Sequence, residues 1–229
     1  MKFIKKIVFV SAIFAFAQCS NDFLEKAPLD TINTSNYPTN AAELITLVNG
    51  AYQPLQWPKL YNMRMWTSDI MAGNSIVGAG GGSDGIETQD MSNFVTTTDN
   101  QGVLDIWRGP WPGILMSNMV LKVAPNLTID ENIKKRSMGE AYFLRAHYYF
   151  ILVRYFGDLP LIISPQSSDS DLYPSRVSKD LIYKQIISDL EKAADLLPNK
   201  STYTGSDIGR ANKGAALGEL AEVYLTLGN

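Results

Sequence analysis

One cysteine, Cys19, and one histidine, His147, are all that the sequence offers of the two residue types most used in nucleophilic chemistry. A lone cysteine cannot close a disulfide within the chain, and neither a Ser/His/Asp nor a Cys/His set can be assembled from one residue of each kind. Two carboxylates would suffice for a glycosidase, and there are 23 acidic residues, so composition leaves that chemistry open. Even so, the chain is read as a non-enzyme without a cofactor. Nor is there a basic excess. With a net charge of -3, and with lysines and arginines scattered beyond the first few positions, no positive field exists for a nucleic-acid backbone. Beyond the N-terminus, no segment is long and apolar enough to span a bilayer.

What is present is ordinary globular material, 45% hydrophobic and 19% charged. The first residues stand apart from it. Lys2, Lys5 and Lys6 precede a short apolar run from Ile7 to Phe16, and small residues follow before Cys19, which is the pattern of a secretory signal over residues 1–18. The placement of Cys19 resembles the bacterial lipoprotein signal, in which this residue becomes the acylated first residue of the mature protein. Acyl chains hold a protein on a membrane surface without a spanning helix. Residues 19–39 are polar and proline-bearing, as suits a lipidated tether leading into an extended segment.

From residue 40 on, the patterning is helical. Asn40 and Glu43 form a capping pair ahead of Leu44, Leu47, Val48, Ala51, Tyr52 and Leu55, with Pro54 and Pro58 expected to end that helix. A second helical stretch runs from Asp105 to Ala124, interrupted near Pro110 and Pro112, with Trp107 and Trp111 read as core. The longest pattern, Lys134 to Pro160, is apolar on nearly every side. Only Arg136, Glu140, His147 and Arg154 make a polar strip, expected to face solvent, and Arg145 inside the apolar stripe calls for a buried acid on a neighbouring helix. Ser178 is expected to cap the next helix, whose buried stripe is Ile182, Ile186, Leu190, Ala193 and Leu197. In the last helix Leu217, Leu220, Ala221, Tyr224 and Leu227 make the predicted apolar face. The fold class is thus mainly α, with tetratricopeptide-like helical hairpins separated by long irregular loops. Since the chain stops at Asn229 just after a strong helix, the helical domain at 40–229 is expected to be truncated at its C-terminus.

Three ordered segments carry a resemblance: GEAYFLRAHYYFILVRYFGDLPLI, YPSRVSKDLIYKQIISDLEKAADLLP and GRANKGAALGELAEVYLTLGN. Together with CSNDFLEKAP after the signal, they resemble the N-terminal half of the SusD/RagB family. That resemblance implies a non-catalytic surface lipoprotein of the outer membrane in Bacteroidetes. It also implies a SusC-type TonB-dependent transporter as partner and captured oligosaccharide, or in some members peptide, as ligand. A tetratricopeptide scaffold that binds a partner protein is the alternative on the helices alone.

Sugar recognition needs aromatic faces and a few planar polar groups on backbone held by a rigid scaffold. The stretch from Trp66 to Gly102, rich in Gly, Ser, Asp and Asn, offers both: Trp66 for stacking and Asp69, Asn74 and Asp84 for hydroxyls. Trp66 could equally be a core residue. The glycine run at Gly78 to Gly82 lacks the lysine of a phosphate loop, and Asp84, Glu87 and Asp90 do not have calcium-loop spacing, so no metal is expected.

Overall fold

The computed structural model describes residues 37–78, 85–166 and 171–228, with backbone alone at residue 59 and residues 62–67. The expected signal, Cys19 and most of the tether lie outside the described residues. Eight α-helices follow Pro38 among those described. Helix α1 (Ala41–Tyr52) opens on Asn40, whose Oδ1 accepts the Glu43 N–H at 3.0 Å. The Glu43 carboxylate reaches back to Thr39 rather than Asn40, accepting its N–H at 2.6 Å and its hydroxyl at 2.9 Å, so the box closes one residue early.

Pro58 does not end a helix but begins one. It occupies the first turn of α2 (Pro58–Met71), where a fixed φ and a missing N–H cost nothing. The same logic admits Pro110 to the first turn of α5 (Pro110–Val123), separated from α4 (Gln101–Arg108) by Gly109 alone. The stretch expected to be one long loop is therefore broken up by the end of α2, the short α3 (Ile86–Ser92) and the start of α4. Its polar composition hid helices whose apolar positions are few.

The centre is α6 (Glu131–Phe156), capped by Asp130, which accepts the Asn132 and Ile133 N–H groups, and closed at Gly157 with φ 68°. Two helices run antiparallel along it. On one side Gly113 meets Tyr148 and Asn118 meets Arg145, numbers falling on α6 as they rise on α5. On the other, Gly139 meets Leu197, Arg145 meets Asp189 and Phe150 meets Tyr183 of α7 (Lys179–Leu196). Gly113 is required by its place, because a methyl there would overlap the buried Tyr148 ring. Ser178 sits at the N-cap of α7 without a side-chain bond; Asp158 instead accepts the Lys179 N–H at 2.8 Å. The expected α7 stripe is buried in full, and Leu144, Tyr148, Tyr149, Phe150 and Leu152 fill the core against it. Among the described residues the only β pairing is an isolated bridge between Leu159 and Val177.

Arg145 meets the acid its position calls for. Its Nε and Nη2 donate to the two Asp189 carboxylate oxygens at 2.8 Å, and Nη1 donates to Asn118 Oδ1 and the Ile163 carbonyl. The polar strip of α6, in contrast, is a solvent edge only at Arg154. Glu140 is buried and held by Arg210 at 2.7 Å, with Arg136 paired to Asp207 at 2.6 Å. His147 bridges Tyr61 and Glu219, while Arg154 reaches Glu222. The strip is a seam onto α8 (Lys213–Leu227) and the turn before it.

That seam also corrects the predicted face of α8. Ala216 and Val223 are buried and Leu220 half-buried, while Leu217, Ala221 and Leu227 are exposed. Glu219 is turned in to meet His147, while the Arg154–Glu222 pair lies at the exposed edge of the seam.

Four buried or half-buried tyrosines make the fold sensitive to alkali. Burial raises the phenol pKa of Tyr52, Tyr148, Tyr149 and Tyr203, the last two to about 12. A raised folded-state pKa means that the native state keeps protons the unfolded chain releases, so stability is complete below about pH 10 and falls above it. Thermal melting from pH 8 to 11.5 is expected to show a steep loss above pH 10, shallower in Tyr149→Phe. A flat profile to pH 11.5 would contradict the burial of these hydroxyls.

Candidate functional site

At the C-terminal end of α2 the chain turns back through Gly73, whose φ of 77° suits glycine. The turn joins two of the residues expected to bind ligand: the Asn74 N–H donates to the Asp69 carbonyl at 2.9 Å, and both residues are exposed. Trp66 lies three residues before Asp69 on the helical backbone of α2; its side chain, like the whole of Asp84, lies outside the described residues. The structure thus brings Asp69 and Asn74 together. One turn away, the hydroxyls of Ser68 and Tyr155 are 3.1 Å apart, which fixes the end of α2 on the end of α6.

Beside this turn is a cavity of about 240 Å³ lined by Met71, Met91, Phe94, Val103, Ile106, Tyr155 and Phe156 among others. Its walls come from α2, α3, α4 and the end of α6, so four helices position it. Phe156 stacks edge-on against Trp107 at 5.0 Å, and Trp107 against Trp111 at 5.4 Å, so an aromatic stack backs the Phe156 wall of the cavity.

Phe94 is the residue that sequence reasoning missed. It is 73% exposed and has φ 58°, the one non-glycine in that region among the described residues. Left-handed backbone costs a side-chain-bearing residue roughly 1 kcal/mol, and an exposed ring gains nothing from burial, so the position is unfavourable twice over. The turn holds it there: Phe94 N–H donates to Met91 O at 3.2 Å and Val95 N–H to Asp90 O at 2.9 Å. The available signal was a single aromatic among polar residues directly after Asn93, a residue type that commonly closes a helix.

A family model for SusD-like proteins, described as starch-binding and associating with the outer membrane, matches residues 22–225. The chain belongs to the SusD-like family. A SusD-like protein P2 of Formosa agariphila is 28% identical over 227 residues, covering 98% of this chain and 43% of that one. Among solved structures, a laminarin-binding SusD-like protein superposes with a TM-score of 0.71 at 28% identity, over 83% of this chain and 41% of its own. Surface glycan-binding protein A from Bacteroides uniformis gives 0.73 at 26% identity, over 82% and 42%. The SusD-like chain therefore spans less than half the length of these relatives. The match to SusD-like structures also places its helices in the tetratricopeptide-like class expected from the patterning. Members of this family model associate with the outer membrane, and among the described residues no helix is long and apolar enough to cross one.

Proposed function

We propose that this protein is a surface lipoprotein that captures oligosaccharide at the Asp69–Asn74 turn and the adjoining cavity, for delivery to a SusC-type TonB-dependent transporter. The observation that carries the reading is Phe94, a ring held out in strained backbone at the rim of a cavity whose wall includes Met71, between Asp69 and Asn74 in the chain. An aromatic face covers the apolar side of a pyranose, and Asp69 and Asn74 serve its hydroxyls. Trp66 and Asp84, one on α2 and one in the following stretch, belong to the same proposal. The names of the laminarin-binding and surface glycan-binding neighbours support a glycan over the peptide alternative. In this reading the stacked helices serve transporter contact and the turns serve ligand, and the family description is of binding, not of a reaction.

The test uses starch-derived and laminarin-derived oligosaccharides as probes in titrations of the protein and its variants. Phe94→Ala and Asn74→Ala are each expected to weaken binding roughly tenfold, by the 1 to 2 kcal/mol of a lost stacking or polar contact, with unchanged melting. Parent-like affinity in both folded variants would move the site elsewhere, and no binding of any glycan by the parent would overturn the reading itself.

Anchoring is tested separately. Cys19→Ala is expected to abolish lipid labelling and release the protein from the outer membrane. Unchanged retention would contradict acylation at Cys19.

A further inference from the structure

At the start of α6, the far end from the Phe94 cavity, a second cleft of about 370 Å³ opens between the first turns of that helix, the end of α7 and the turn at Lys200–Thr202. Its walls lie wholly within the described residues. Hydrocarbon is recessed in it: Leu197 and Tyr203 are buried, and Ile133, Leu196 and Pro198 are half-buried. The rim is polar, since Asn132, Lys135 and Thr202 are exposed. Ile133 and Tyr155 stand about 30 Å apart along α6 at the rise of an α-helix, so the two concavities are distinct.

Some polar groups of the cleft are already spent. Asp130 accepts the Asn132 and Ile133 N–H groups, so the cleft does not draw on the helix end. The Tyr203 hydroxyl donates to the Ala211 carbonyl at 2.7 Å, and its ring contributes carbon. Arg136 lies over that ring at 5.9 Å with Nη1 on Asp207 and Nε 3.5 Å from Glu140, so its charge is balanced. Three groups at the rim keep capacity: the Asn132 amide, the Lys135 ammonium, and Thr202 Oγ1, which donates to the Asn199 carbonyl and can still accept. Lys134 holds Glu131, whereas Lys135 pairs with no acid among the described residues. A purely apolar ligand would set carbon against this rim, and a small inorganic anion would leave the recessed hydrocarbon bare. A sugar ring matches both, because its C–H face suits the carbon and its hydroxyls suit the rim. A carboxylate on that ring would meet Lys135 in a charge-assisted hydrogen bond.

We propose that this cleft binds a uronate residue of an acidic oligosaccharide. Lys135 receives the carboxylate, Asn132 and Thr202 serve the hydroxyls, and Ile133 and Pro198 lie against the ring. It is a second carbohydrate site, separate from the Asp69–Asn74 turn, and does not depend on it.

The test titrates the protein with digalacturonate, its dimethyl ester and acetate, following the backbone amide resonances of Ile133 and Thr202. Digalacturonate is expected to bind roughly tenfold more tightly than the ester, with the preference fading at high salt. Lys135→Gln should abolish that preference and Thr202→Asp should remove binding of digalacturonate, both with near-parent melting because the two residues are exposed. Phe94→Ala should change neither. Equal binding of acid and ester, preference surviving in Lys135→Gln, acetate bound as tightly as digalacturonate, unmoved Ile133 and Thr202 resonances, or no binding would each overturn the proposal. Starch and laminarin oligosaccharides without a carboxylate probe the Phe94 site alone, so this site and the first fail independently.

Discussion

Asp189→Ala is expected to lower unfolding stability by about 3 to 5 kcal/mol, because it strands a guanidinium in the interior. Arg145 is 4% exposed and Asp189 0%. With the carboxylate gone, Arg145 Nε and Nη2 have no acceptor, and Nη1 keeps only Asn118 and the Ile163 carbonyl. Gln185 also loses the acceptor for its Nε2. Removing both charges, as in Arg145→Met with Asp189→Leu, is expected to recover part of the loss, since the attraction between buried ions scarcely exceeds the cost of desolvating them. Recovery stays partial because Asn118 Oδ1 and Ile163 O then lack a donor. Urea denaturation of the three proteins measures this, and a single-variant loss under about 1 kcal/mol would mean that water reaches the pair.

Leu152→Ala is the second large effect, about 2 to 5 kcal/mol. Leu152 is fully buried in the core around α6, where lost transfer energy and an unrelaxed cavity add together. Lys192→Ala provides the contrast. Lys192 is exposed, and its one described contact is with the Tyr142 ring, at 5.2 Å, a cation–π pair worth about 0.5 kcal/mol at such a site. Comparable losses for the two substitutions would mean that α6 faces the other way.

Much of the fold was legible because its largest signals are apolar and periodic. The α7 stripe, the extent of α6 and the demand of Arg145 for an acid all follow from burial, which residue type reports directly. Two features failed for a common reason. Glu140 was read as solvent-facing and the α8 face was read from its large apolar residues, yet both depend on which residues meet across helices far apart in sequence. Glu140 is paired with Arg210, and Arg154 with Glu222, and a periodicity within one helix contains no information on such partners. The short α3 within the expected loop was missed because its seven residues have neither a capping side chain nor a proline to mark the start and are too few to show a hydrophobic period. At the candidate site, Asp69 and Asn74 were found by residue type alone. Phe94 was passed over because its distinction lies in a backbone angle.

That backbone angle has a consequence for how the protein would change under pressure for robustness alone. Glycine adopts a φ of 58° freely, and asparagine nearly so, whereas Phe94 bears its cost without burial in return. Replacement by glycine at this position would make the chain more stable by a few tenths to about 1 kcal/mol. A library of variants sorted only for heat resistance would therefore discard the ring early, and with it the surface that the cavity presents to a sugar. Stability and recognition pull in opposite directions at this residue, so enrichment of glycine there would identify a lineage selected for durability and no longer for ligand.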